Sequence, residues 1–104
     1  MMNETRLYQF LGLCQKAGAL MSGSEQLRDG IRNKKGYLLL IAEDTSPKTI
    51  KEYQMTADRA QIPWRIFGQK EILGRALGKG VRTAVLITDE GFSNAVLKKM
   101  DASL

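Results

Sequence analysis

Three stretches carry residues whose types and spacing bear on chemistry. In the first, residues 20–28, a short apolar run meets a helix start. Ser22 followed three residues later by Glu25 spells a capping box, in which each side chain satisfies a free backbone N–H of the first turn. Gly23 lets a partner approach the backbone. A helix end of this kind offers outward N–H groups and partial positive charge to phosphate or another acceptor-rich ligand. The second consists of two acidic clusters, Glu43-Asp44 and Thr88-Asp89, each directly after an apolar run. Ligands in open α/β sheets collect beyond the C-terminal ends of strands, so the two clusters together would make a carboxylate cage for magnesium. A turn explains the first cluster and helix capping the second without any metal. The third, Gly74-Arg75-Ala76-Leu77-Gly78-Lys79-Gly80, approaches a P-loop. It is one residue short between the glycines and lacks the Ser/Thr that would hold magnesium. Its glycines suit a helix ending, and it is not a nucleotide site.

Absences narrow the chemistry further. The chain has no histidine, which removes Ser-His-Asp and Cys-His relays and His-based metal sites. Its single cysteine, Cys14, makes no internal disulfide or thiolate zinc cluster and fits a reducing compartment. No metal and no cofactor are called for. With 16 Lys plus Arg against 11 Asp plus Glu, the formal net charge is +5. That balance suits a polyanion such as nucleic acid, and it also serves solubility.

The elements that must position these residues follow from periodicity. At 104 residues the chain is the size of one domain with a real core, and residues 1–104 are taken as a single unit. Asn3 caps a first helix whose inward stripe is Leu7, Phe10, Leu11 and Cys14, ended by Ala17-Gly18. Cys14 on that stripe packs as a small hydrophobe. Ala19-Leu20-Met21 is a short edge strand. The next helix turns Leu27 and Ile31 inward and Arg28 and Arg32 to another side, with Lys34 and Lys35 at its end. Residues 37–42 form an unbroken apolar run, a central strand buried on both faces. Ser46 and Pro47 start a third helix with Ile50, Tyr53, Ala57 and Ala60 inward, halted at Ile62-Pro63. A short strand at 64–67, a helix over 71–77 ended by Gly78, a buried strand at 83–87 and a helix capped by Asp89 with Phe92 and Val96 inward complete the chain. Strands alternating with helices require crossovers and a sheet covered on both faces. The predicted fold is a three-layer α/β/α sandwich with about four strands.

Four phrases in register now resemble one family. Residues 22–26 (Ser-Gly-Ser-Glu-Gln), 39–47 (ending Glu43-Asp44-Thr45-Ser46-Pro47), Ile62-Pro63 and 73–78 are ordered and spaced as in the kink-turn-binding ribosomal proteins of the L-seven-Ae/L-thirty-e type. The likeness is greatest to their short bacterial YlxQ-related branch, where residues 87–92 also have a counterpart. It covers nearly the whole chain. The resemblance implies a four-stranded mixed sheet within the sandwich and RNA binding without catalysis. Family members set a helix N-terminus into the widened groove of sharply bent RNA and cover a flipped-out base with an apolar loop, which is how irregular RNA is read.

Carried over by position, the resemblance places Gly23, Ser24, Glu25 and Gln26 at the recognition helix start. Glu25 stands where the family has asparagine, Gln26 where it has glutamate, and Asp29 where it has lysine. Lys79, Gly80, Val81 and Arg82 form the loop over the bend, with Lys79 replacing an apolar residue. Glu43 and Asp44 lie in a neighbouring RNA-facing loop. Lys79, Arg82 and Arg28 supply phosphate contacts, which sustain general affinity, while the departures at Glu25 and Asp29 relax or alter target preference. The implied partner is ribosomal or another structured RNA, together with ribosomal or translation-factor proteins. No membrane is involved: no apolar run approaches the ~20 residues needed to cross one, and the polar N-terminus lacks a secretion signal, so the expected compartment is the cytoplasm. Two other classes stay open. The carboxylates Glu25 and Asp29 also fit a protein-interaction module that kept the fold but lost the RNA site, and the acidic clusters a carboxylate-dependent magnesium enzyme.

Overall fold

In the computed structural model, which describes residues 4–101, two four-residue strands with every side chain buried lie side by side at the centre. They are β2 (Leu38–Ile41) and β4 (Ala84–Ile87), paired antiparallel with Leu38 opposite Ile87 and Ile41 opposite Ala84. The short strand β1 (Leu20–Met21) pairs antiparallel with β4 at one edge. At the other edge β3 (Trp64–Ile66) pairs parallel with β2, giving the order β1-β4-β2-β3 in a mixed sheet. Helices fill the connections: α1 (Glu4–Lys16), α2 (Ser24–Arg32), α3 (Pro47–Arg59), α4 (Lys70–Ala76) and α5 (Glu90–Asp101). The expected central and edge strands take their places, with boundaries one residue inside the expected ones. Tyr37 is an exception in kind: it lies before β2 and is 45% exposed. The Asn3 cap falls outside the described residues.

Side chains alternate across the sheet, as strand geometry requires. Leu38, Leu40, Val85 and Ile87 face one way, onto Leu7, Leu11 and Cys14 of α1, Leu73 of α4 and Val96 of α5. Leu39, Ile41, Ala84 and Leu86 face the other, onto Leu27 and Ile31 of α2 and Tyr53 and Ala57 of α3. The three-layer α/β/α sandwich is therefore complete, with α1, α4 and α5 on one face and α2 and α3 on the other. No helix among the described residues is long and apolar enough to cross a membrane.

Strand direction decides which loops meet. Because β4 runs against β2, the C-terminal end of β2 (Glu43-Asp44) and the residues after β4 (Thr88-Asp89) lie at opposite ends of the sheet. The Thr88 N–H donates to Ala19 at one end, while the Ala42 N–H donates to Thr83 at the other. The two clusters therefore do not come together as the magnesium-enzyme alternative requires. Two of the three carboxylates also have a local task. Asp44 accepts the Lys70 N–H at 2.9 Å, and Asp89 accepts the Phe92 N–H at 2.9 Å.

Candidate nucleic-acid interface

One end of the sheet gathers the start of α2, the β2–α3 loop, the start of α4 and the loop leading into β4. Met21 pairs with Leu86 and Ile41 with Ala84, so the chain leaves β1 and β2 where it enters β4. The expected capping box does not form. Gly23, extended at φ −72° and ψ 138°, is the N-cap of α2, and no side chain among the described residues caps that end. Helical structure begins at Ser24, one residue later than a Ser22 cap requires, so Glu25 is at the second helical position rather than the third. The Ser22 hydroxyl instead accepts the Arg82 Nε–H at 3.0 Å. Arg82 also donates to the Val81 carbonyl at 3.0 Å. Two of the five guanidinium N–H donors are thus used, and the rest remain for a ligand.

The open end of α2 differs from its neighbours. The Thr49 N–H at the start of α3 is taken by the Ser46 hydroxyl at 3.3 Å, and the starts of α4 and α5 are closed by Asp44 and Asp89. Among the described residues the first turn of α2 meets no such acceptor, and its orphan N–H groups carry the positive end of the helix dipole. Ser24, Glu25 and Gln26 are exposed there.

The loop at 79–82 is fixed from α4. The Lys79 N–H donates to Gly74 at 2.8 Å and the Arg82 N–H to Lys70 at 3.0 Å. Gly74 is buried against the Gly80 carbonyl so tightly that a methyl group would collide with it. Lys79, Gly80 and Val81 project outward, Val81 being 52% exposed, while Arg82 is half-buried. Across the tie from Ser22 to Arg82, a set of backbone N–H donors therefore adjoins an exposed valine and two cations.

Glu43 and Asp44 lie exposed at the same sheet end, with Asp44 engaged on α4. Arg28 is displaced from this group. It sits one turn further along α2, turned toward α3, where it lines a hollow with Thr49, Glu52 and Tyr53. Sequence reasoning missed Ser22 as the tie and Gly74 as the seat of the loop, since the first was assigned to its own helix and the second to a helix ending.

Behind the site Tyr8 packs tilted at 47° against Phe67, with 5.0 Å between ring centres, and its hydroxyl accepts the Gln69 N–H at 3.0 Å. Burial pushes its pKa up, with Glu4, Glu43 and Asp44 adding to the shift. Cys14 is fully buried, and its thiol is pushed up for the same reason, as a packed hydrophobe requires.

With that geometry in place, the chain matches the ribosomal protein L7Ae/L30e/S12e/Gadd45 family over residues 5–97. The chain belongs to this family. It is 31% identical over 100 residues to the RNA-binding protein YlxQ of Bacillus subtilis, covering 96% of this chain and all of that one. YlxQ of Enterococcus faecium is 30% identical, with 88% of this chain and 87% of that one covered. A solved protein of unknown function from Bacillus halodurans C superposes with a TM-score of 0.85 at 30% identity, covering 91% of this chain and 96% of that one. A 15.5 kDa RNA-binding protein of Giardia lamblia superposes at 0.76 with 18% identity, covering 94% and 87%; at that identity the likeness is one of fold. The L7Ae-type family assignment makes this chain a non-enzymatic protein.

Proposed function

We propose that this L7Ae-type chain is a small RNA-binding protein that recognises structured, kink-turn-like RNA, with preference relaxed or altered by Glu25 and Asp29. One observation carries the reading: the Arg82–Ser22 hydrogen bond, which sets the uncapped start of α2 beside the loop of Lys79 to Arg82. Bent RNA presents splayed bases and crowded phosphates together. Free N–H groups of Ser24 to Gln26 meet acceptors on a base edge or phosphate. Gln26 adds both a donor and an acceptor. Val81 offers an apolar cover for an unstacked base, and Lys79 and Arg82 meet phosphate. The names of the Bacillus subtilis and Enterococcus faecium relatives support RNA as the ligand class. Association with ribosomal RNA, with ribosomal or translation-factor proteins, and residence in the cytoplasm belong to the same proposal.

Gel-shift titration against a kink-turn RNA and an unbent duplex of equal length, each at low and moderate salt, tests it. Tighter binding to the kink-turn RNA is expected at both salts. Equal binding to the two would remove shape recognition while leaving RNA binding. Failure to bind either at low salt would overturn the proposal in favour of a protein-interaction module.

A further inference from the structure

Helices α2 and α3 both start at the sheet end that bears the interface, and they run away from it side by side over one face of the sheet. Between them lie two hollows. The nearer, of about 190 Å³, is lined by Arg28, Arg32, Glu52 and Thr56 among others. The farther, of about 230 Å³, is lined by Arg32, Lys34, Thr56 and Arg59. Arg32 and Thr56 belong to both, so the hollows are successive stretches of one trough. Four cations (Arg28, Arg32, Lys34 and Arg59) face a single carboxylate, Glu52. All four are exposed. Among the described residues, no hydrogen bond or ion pair engages their side chains. Arg28 and Arg32 are one helical turn apart, a rise of about 6 Å at ~1.5 Å per residue. Uncompensated charge in a groove of low-dielectric walls concentrates a polyanion.

Lys34 adds a second observation. It closes α2 in the left-handed conformation at φ +54°, with its N–H on Ile31 at 3.1 Å and the Lys35 N–H on Gly30 at 2.9 Å. That position ordinarily takes glycine, because a side chain there crowds the following carbonyl. A lysine held at steric cost at the far mouth of the trough keeps a cation where the groove opens.

We infer that the α2–α3 trough is a second phosphate-binding surface, which takes the phosphodiester backbone of the RNA stem as it leaves the kinked site. The inference rests on the RNA-binding proposal and extends it from Arg28 to Arg32, Lys34 and Arg59, which lie outside the interface. Charge complementarity selects the occupant, and continuity with the α2 start gives the strand its path.

The test compares a kink-turn RNA carrying a flanking stem about one helical turn long with the same kink whose stem is cut to a few pairs. Arg32→Glu combined with Arg59→Glu changes only exposed side chains. Lys34→Gly removes a cation while relaxing the backbone, so it does not lose function by misfolding. On the long-stem RNA the charge-reversal pair is expected to bind at least about tenfold more weakly, with the log–log salt slope reduced by roughly 0.7–0.9 for every phosphate the trough no longer neutralises. Lys34→Gly is expected to lose about two- to fivefold there while melting no lower than the parent. Neither change moves binding to the short-stem RNA. Equal losses on both RNAs, or no loss on either, would overturn the inference, the latter being what an acidic protein partner in the trough produces. If the unaltered protein binds neither RNA, the parent proposal fails as well, whereas normal binding by every variant removes the trough alone.

Discussion

The guanidinium of Arg82 and the hydroxyl of Ser22, 60 positions apart in the chain, meet at 3.0 Å and join the loop before β4 to the start of α2. A serine with the chemistry to close its own helix is drawn away from it. The result is a helix end with free donors and an arginine held in a fixed direction beside them.

Ser22→Ala removes the acceptor of the Nε–H and leaves half-buried Arg82 with the Val81 carbonyl as its partner. The cost to folding is about 1.5 kcal/mol, the low end for a bond from a charged donor, because Arg82 is only half-buried. RNA affinity falls by up to about tenfold because Arg82 loses its orientation, 1.4 kcal/mol being a factor of ten. Urea unfolding and RNA titration of the same variant measure the two effects. A stability loss with no change in affinity would show that the tie serves the fold only.

Gly74→Ala drives a methyl group into the Gly80 carbonyl and displaces the loop. Overpacking of this kind costs roughly 1–3 kcal/mol, and RNA binding weakens with it. Gly78→Ala is the matched control. It strains a residue at φ +70° by about 1–2 kcal/mol, with nothing among the described residues near the added carbon. Melting temperatures are expected to fall for both, and RNA affinity at a temperature where both are folded only for Gly74→Ala.

Lys79→Glu with Arg82→Glu reverses two charges beside the α2 start. Binding at low salt drops, and the dependence of log affinity on log salt flattens by roughly 0.7–0.9 for each phosphate left without its cation. Affinity measured from low to moderate salt reads this out, and a slope equal to the parent's would take phosphate away from this loop.

Much of the fold was legible in the sequence. The unbroken apolar runs of β2 and β4 are what a doubly covered sheet demands, and Ser46-Pro47 starts α3 where capping chemistry puts it. The site was legible in its pieces but not in their wiring. Spacing alone made Ser22 and Glu25 a capping box, because nothing local announces a competitor sixty residues away. The turn at Glu43-Asp44 is legible and forms, but nothing local shows that the Asp44 carboxylate closes α4 from 26 positions off. The direction of β4 is invisible in a run of apolar residues, and that direction parts Asp89 from Asp44. Arg28 and Arg32 could be placed on one side of a helix by their spacing, whereas Arg59 and Lys34 join them only through the packing of α2 beside α3.

Cys14 and Tyr8 both weaken the fold in alkali. Burial raises both pKa values, so each group is neutral in the folded state at pH values where the unfolded chain ionises it. Their stabilising effect is whole below the ordinary thiol value of about 8.5 and the ordinary phenol value of about 10. It is lost as the pH climbs from those values through the raised ones. Urea midpoints measured from neutral pH upward are expected to decline from about pH 8.5. Cys14→Ala removes the earlier part of the decline, and an unchanged profile in that variant would exonerate the thiol.

Amide chemical-shift mapping during titration with a kink-turn RNA tests the central claim most directly. The amides of Gly23, Ser24 and Glu25 are predicted to move together with those of Gly80, Val81 and Arg82, at one saturation point. Shifts confined to the opposite end of the sheet, around Thr88 and Asp89, would contradict it.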